Sequence, residues 1–420
     1  METHLADFIR DTSAGREAEA ILRSCVHCGF CNATCPTYQL FGDELDGPRG
    51  RIYLVKQVLE GRPPTKKTQL HLDRCLTCRA CETTCPSGVQ YSRLLDIGRA
   101  AVAAHVPRRV WDGLRRTLLK TVLPRRRLFN ALLRVGRTLA PVLPRRLRPM
   151  PLSASVATPC AGALPTPHAR RMVLLGGCVQ PGLAPGINAS ATRLFDRLGI
   201  TLVEAPRAGC CGALPFHLED VAAARREARR NIDAWWPLLE AGAEAIVSTA
   251  SGCGVQLRDY AHLLQADSEY SAKARRVSEL ARDVGEVLAA EGTALQYLLD
   301  RQPAAAQRIA FHAPCTLQHG LRVAGGVDGM LRKAGFDLAP VPDAHLCCGS
   351  AGTYSLLQPD ISRQLRDAKL EALQSGGACT IASANIGCIN HLQAASTVPV
   401  RHWVELLDAH LAGKALDGRL

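Results

Sequence analysis

Several things are scarce or missing in this chain of 420 residues, and each absence narrows the reading. No stretch of eighteen uninterrupted apolar residues occurs, so the sequence predicts no membrane-spanning helix. Aromatic residues make up only 5%, and they are not interleaved with basic ones as in single-strand nucleic-acid binders, so nucleic acid is not an expected partner. Residues 1–20 carry Glu2, Asp7, Asp11, Glu17 and Glu19 and no apolar core run, unlike a secretory leader, which points to a cytoplasmic protein. No Gly-x-Gly-x-x-Gly lies between a strand and a helix, and Gly176-Gly177-Cys178 does not supply one, so no dinucleotide site is expected on the chain itself.

What is abundant is cysteine, eighteen in all. In a reducing compartment thiols are kept from forming disulfides, which favours metal ligation. Eight of them form two copies of one string, Cys25-x-x-Cys28-x-x-Cys31-x-x-x-Cys35-Pro36 and Cys75-x-x-Cys78-x-x-Cys81-x-x-x-Cys85-Pro86. Three closely spaced thiolates each hold one iron of a [4Fe–4S] cubane, and the fourth, before proline, reaches the other string's cluster. The pattern therefore predicts Cys25, Cys28, Cys31 and Cys85 on one cluster, and Cys75, Cys78, Cys81 and Cys35 on the other. Zinc suits such a string poorly, because zinc sites pair separated Cys-x-x-Cys or Cys/His units.

The net charge of +13 is concentrated. Between His105 and Met150 stand thirteen Lys/Arg against the single acid Asp112. Trp111, Leu114, Leu118, Leu119 and Val122, then Leu128, Phe129, Leu132, Leu133, Val135 and Leu139, recur at helical spacing, giving two basic amphipathic helices. Two readings stay open: peripheral contact with an anionic inner membrane, or a connector whose apolar stripe packs on a neighbour while its arginines stay solvated. Residues 151–169, rich in Pro, Ala, Ser and Thr, read as a linker that includes Cys160.

Beyond the linker the chain repeats itself. Cys178, Cys210 and Cys211 recur 137 residues later as Cys315, Cys347 and Cys348, and Cys253 recurs 135 residues later as Cys388. Arg171–Cys178 and Arg308–Cys315 each read as a buried strand ending at a cysteine. Helices follow at 191–198 and 221–239 in one copy and at 327–334 and 361–373 in the other. Apolar strands at 245–249 and 379–383 close each copy. Alternating strands and helices imply two α/β lobes with largely parallel sheets whose strand ends gather the cysteines. In Cys210-Cys211-Gly212 and Cys347-Cys348-Gly349 adjacent thiolates face one centre while glycine permits a positive φ. Each lobe thus offers four thiolates, and a further iron–sulfur cluster in at least one lobe is expected. Cys160 and Cys379 read as structural, as do His217, His312 and His345 near the lobe cysteines and, at an exposed turn, His27.

The fold class is thus an α-helical two-cluster ferredoxin domain (1–104), a basic segment and linker (105–169), and two repeated α/β cysteine-rich lobes (170–300 and 301–420). In this layout, in Gly47-Pro48-Arg49-Gly50-Arg51-Ile52, and in the closing motifs Ser251-Gly252-Cys253-Gly254 and Ala384-Asn385-Ile386-Gly387-Cys388, the chain resembles the iron–sulfur subunits of the glycolate oxidase family. Relatives with the same layout include lactate-utilisation iron–sulfur proteins, the C subunit of anaerobic glycerol-3-phosphate dehydrogenase and the B subunit of heterodisulfide reductase. The resemblance implies electron transfer from FAD-binding subunits, where a 2-hydroxyacid such as glycolate is oxidised, to a quinone or other acceptor. D-Lactate or glycerol 3-phosphate as the oxidised substrate, a redox-sensing membrane module, and a stand-alone thiol or disulfide reductase are the alternatives. The last is disfavoured, because heterodisulfide reductase closes each motif with Cys-x-x-Cys and here Ala250 and Asn385 replace the first cysteine of that pair.

Overall fold

A computed structural model describes residues 1–140, 168–323 and 325–414. Cys160, Arg145, Arg146, Arg148 and most of the expected linker lie outside the described residues.

The N-terminal unit is helical. Its main helices are α1 (Ser13–Ser24), α2 (Pro48–Leu59), α3 (Lys66–Asp73) and α4 (Tyr91–His105). Thr12 caps α1 by accepting from the Gly15 amide, and Thr65 with Thr68 forms a capping box at α3. Ile21, Leu22, Ile52, Val55, Leu59, Leu72, Leu94 and Leu95 close one small core between these helices. Gly50 is required there, because a Cβ would stand 2.1 Å from the Glu44 carbonyl oxygen.

Two further helices, α5 (Val110–Val122) and α6 (Arg126–Thr138), form the basic segment. Their arginines hold them to the rest of the chain. Arg108, just before α5, bridges Asp73 and Glu219, Arg116 reaches Asp73 at 3.4 Å, and Lys120 pairs with Asp220 at 3.2 Å. On α6, Arg126 pairs with Glu204 and Arg137 donates to the Gly182 carbonyl. Val110, Trp111, Leu114, Leu118, Leu128, Leu132, Val135 and Leu139 are left exposed, Trp111 by 75%. Leu119, Val122, Phe129 and Leu133 of the same stripe are half-buried, so the stripe faces out in part, and the basic residues divide between those paired with the rest of the chain and those left exposed.

The repeat builds two four-stranded parallel sheets. In the first, β1 (Arg170–Leu174), β2 (Ile200–Glu204), β3 (Ile246–Ser248) and β4 (Ala281–Asp283) lie in the order β2-β1-β3-β4, with Met172 opposite Leu202 and Val173 opposite Ile246. Around it stand α7 (Gly186–Arg197), α8 (Val221–Glu240), α9 (Ser251–Arg258) and α10 (Val284–Ala290). In the second, β5 (Arg308–His312), β6 (Asp337–Leu338), β7 (Thr380–Ser383) and β8 (Val400–His402) lie in the order β6-β5-β7-β8. Its helices are α11 (Gly326–Lys333), α12 (Pro359–Gln374), α13 (Ile386–Gln393) and α14 (Trp403–Leu411). The expected helix at 191–198 begins earlier, at Gly186, and the strand expected over 379–383 begins at Thr380.

The lobes share one core. Met172, Leu174, Leu194 and Phe195 of the first pack in the same apolar cluster as Ile309, Phe311, Trp403 and Leu407 of the second. Arg193 of α7 pairs with Asp408 of α14 at 2.5 Å. The helix that follows the fourth strand of each lobe thus lies against the other lobe, α14 on α7 and α10 on α11. Both begin with a matching capping box, Asp283 with Glu286 and His402 with Glu405. Among the described residues, no helix is long and apolar enough to cross a membrane.

Candidate metal centres

Both cysteine strings run through loops with paired left-handed turns. His27 and Gly29 have φ of 59° and 89° in the first, and Thr77 and Arg79 have 52° and 63° in the second. Three of these four residues are not glycine, and each costs roughly 1–3 kcal/mol in that region, a strain typical of ligand clamps. The turns present the sulfurs of a string to one side. Cys25, Cys28 and Cys31 line a cleft of ≈ 440 Å³ together with Cys85, and Cys35 lines a second cleft of ≈ 310 Å³ with Cys75, Cys78 and Cys81. Cys81 borders both. The fourth cysteine of each string therefore stands with the other string.

The clefts suit thiolate-ligated clusters. Burial pushes the Cys31 thiol up to about 11 and raises Cys25, so unligated thiolates would be disfavoured there. His27, half-buried rather than at an exposed turn, lines the first cleft with a buried Nδ1 that has no hydrogen-bond partner among the described residues. An orphaned ring nitrogen beside three cysteines fits a sulfur acceptor. The second cleft is bordered by Arg51, a buried cation whose guanidinium reaches Cys35 Sγ at 4.0 Å, Thr37 Oγ1 at 3.1 Å, the His71 carbonyl at 2.7 Å and Asp46 at 3.3 Å. Asp46 is also held by His71 at 3.0 Å and Arg74 at 2.6 Å. A fixed positive charge beside an anionic cluster stabilises its reduced form. The Pro-Arg-Gly-Arg stretch thus folds into the wall of both clefts, because Arg49 lines the first.

In the first lobe Cys178, Cys210 and Cys211 are buried and Cys253 is half-buried, and the Gly212 amide donates to Cys210 Sγ at 3.4 Å. The neighbouring Cys178 and Cys211 thiols hold Cys210 well below the usual thiol range, and Cys178 and Cys211 are raised in return. Gly212 and Gly349 adopt φ of 87° and 84°, and a Cβ on Gly349 would stand 2.6 Å from the Ser362 carbonyl. In the second lobe Cys315 Sγ lies 3.9 Å from Cys347 Sγ, and the Cys348 and Cys388 sulfurs lie within 4.8 Å of each other. His312, three residues before Cys315, is buried beside Cys348 and Cys388. The lobe strands' C-terminal ends carry these groups, as in open α/β sheets generally.

The second cleft and the second lobe touch. Leu76, Cys347, Tyr354, Ile361 and Leu365 form one apolar cluster against which Cys78 and Cys315 pack. The first lobe meets the helical unit through charge instead: Arg79 holds Asp259 at 2.7 Å, and His262 holds Glu17 at 2.9 Å. Cys379 is exposed, donating to the Arg308 carbonyl, and His345 lies outside the cysteine groups. Sequence reasoning passed over the burial of Arg51 and the ligand geometry of His312. A charged residue inside an otherwise apolar stripe is the signal for the first.

Comparison with known proteins agrees with this layout. Residues 21–89 match the 4Fe-4S dicluster domain family, and residues 172–258 and 309–393 match the cysteine-rich domain family. The chain is 53% identical to the glycolate oxidase iron-sulfur subunit of Escherichia coli (strain K12), over 98% of this chain and 99% of that one. It is 29% identical to the probable glycolate oxidase iron-sulfur subunit of Bacillus subtilis (strain 168), over 89% of each. It is 28% identical to lactate utilization protein A of Geobacillus kaustophilus, over 53% of this chain and 92% of that protein.

Proposed function

The chain belongs to the family of glycolate oxidase iron-sulfur subunits, and from that premise we propose that it is the electron-transfer subunit of a glycolate-oxidising flavoenzyme. In this reading FAD sits on partner subunits, where glycolate becomes glyoxylate, and the electrons leave through this chain to a quinone or other acceptor. The observation that carries it is that Cys85 lines the cleft of Cys25, Cys28 and Cys31 while Cys35 lines that of Cys75, Cys78 and Cys81, with Cys81 bordering both. Cys25, Cys28, Cys31 and Cys85 would hold one [4Fe–4S] cluster, and Cys75, Cys78, Cys81 and Cys35 the other. When bound, the clusters accept and release single electrons, converting two-electron flavin chemistry into one-electron steps.

The chain's own residues set position and field. The left-handed turns at His27, Thr77 and Arg79 fix the sulfurs, His27 Nδ1 and Arg51 place a donor and a cation at the two clefts, and the Leu76–Tyr354 contact holds the second cleft against the second lobe. The four-thiol groups of the lobes support a further metal centre there.

The same reading places the protein on the inner face of an anionic membrane. Its support is charge and exposure: Arg109, Arg115, Arg125, Arg127 and Arg134 on or beside α5 and α6 are exposed and make no ion pair among the described residues, beside the outward part of the apolar stripe. Such a face matches an anionic headgroup layer, about 1 kcal/mol per basic residue.

The test is anaerobic purification of the native complex, followed by glycolate addition while flavin absorbance and reduced-cluster EPR are recorded together. Flavin bleaching with cluster reduction is the expected result. Bound flavin that ignores glycolate but responds to D-lactate or glycerol 3-phosphate would move the substrate, and the absence of flavin-bearing partners would end the reading.

A further inference from the structure

The two lobes repeat their cysteines but not their chemistry. Cys178 and Cys315 follow the equivalent strands β1 and β5 by four and three residues, and the residue three places before each is Leu175 in the first lobe and His312 in the second. His312 is 3% exposed at the end of β5. One ligand atom from its ring, Cys348 Sγ and Cys388 Sγ all lie within 4.8 Å of one another. Among the described residues no cysteine trio of the ferredoxin clefts or of the first lobe is gathered as tightly.

Spacing separates two kinds of site. Around one tetrahedral ion, metal–sulfur bonds of about 2.3 Å and metal–nitrogen bonds of about 2.0 Å put donors roughly 3.5–4 Å apart. Cluster ligands each hold a different iron and must stand further apart. From this geometry we propose that the second lobe holds a single tetrahedral zinc ion on His312, Cys348 and Cys388, rather than a further iron–sulfur cluster.

The surroundings fit. Histidine ligands usually spend the other ring nitrogen on a hydrogen bond that fixes tautomer and orientation. His312 Nδ1 lies 2.9 Å from Ser383 Oγ, on the neighbouring strand β7, which leaves Nε2 for the metal. Asn385 Nδ2 donates to Cys388 Sγ at 3.7 Å, a contact that supports a thiolate. His312, Cys348 and Cys388 leave the fourth position of the tetrahedron to another donor. The first lobe, with Leu175 and Ala250 at the corresponding positions, offers neither the imidazole nor the amide. The inference goes beyond the electron-relay reading and does not depend on it.

The experiment is metal and acid-labile sulfide analysis of the anaerobically purified full chain supplied with Zn²⁺, with zinc-edge X-ray absorption, on wild type, His312→Leu and Cys388→Ser. His312→Leu installs the first lobe's residue and is expected to pack. About one zinc per chain with sulfur and nitrogen ligands is expected. Zinc affinity should fall at least about tenfold in both variants, while the eight or so cluster irons and their EPR signals stay unchanged. No zinc, zinc unaffected by His312→Leu, or extra iron and sulfide lost in that variant would each overturn the proposal. Absence of flavin-bearing partners from the native complex would overturn the relay reading alone.

Discussion

The Tyr354 hydroxyl of the second lobe donates to the Arg74 backbone carbonyl at 3.0 Å, one residue before Cys75. Arg74 also pairs with buried Asp46 and lies 4.9 Å from the Phe41 ring centroid. One residue thereby links the second cleft's buried charge network to the lobe that docks on it. Tyr354→Phe should lower stability by about 1 kcal/mol and increase amide exchange around residues 74–78, without changing iron content. Unaltered exchange there would remove this contact as a docking element.

Arg51 is the buried cation that balances Asp46 beside Cys35. Arg51→Met leaves Asp46 with only Arg74 and His71, and breaking a buried pair typically costs about 3–5 kcal/mol. Thermal unfolding of the variant should show that loss. In whatever fraction loads iron, the second cluster should become harder to reduce, read by EPR-monitored potentiometry. A wild-type unfolding midpoint and an unshifted potential would together sink this account.

Cys28→Ser removes one thiolate from the first cleft only. The variant should retain about four of the eight irons, and it should unfold at lower temperature, because ligation free energy is partly folding free energy. A count that stays near eight would count against the ligand grouping.

For α5 and α6, the exposed face dictates which residues to change. Arg126 is engaged with Glu204, so the informative charges are Arg125 and Arg127, together with Trp111 and Leu118 on the apolar stripe. Charge reversal at Arg125 and Arg127, or Trp111→Ser with Leu118→Ser, should each lower partition onto vesicles containing anionic lipid by about tenfold, with no loss of iron. Partition that ignores both changes would give this face to a partner protein.

Glu405 caps α14 from inside the shared core, and burial raises its carboxyl to about 7 despite the His402 amide and the nearby Arg401 and Arg193. The raised value means the folded state prefers the neutral acid, so this stabilisation is complete below the ordinary carboxylate range and is lost as pH rises through about 7. Glu405→Gln should therefore match wild type near pH 4 and gain relative stability up to pH 7, then level off. Denaturant midpoints across that range check the sign; a difference that shrinks with rising pH would contradict it.

Much of this protein is set by local pattern. The doubled cysteine string has a spacing that only a short, strained loop accommodates, and the 137-residue repeat with its strand-to-cysteine junctions dictates two α/β units. The amphipathic run from 110 to 139 was equally legible as two helices, because helix formation answers to a 3.6-residue period within one segment. Tertiary packing decided the rest. Which face of those helices points outward depended on acids at 73, 204, 219 and 220, far along the chain. The short strands β2, β4, β6 and β8 form only where a long-range parallel partner completes their hydrogen bonds. The common core of the lobes, and the placing of His312 against Cys348 and Cys388, likewise join residues tens of positions apart. Such pairings depend on the closure of the whole chain, and no window of sequence contains them.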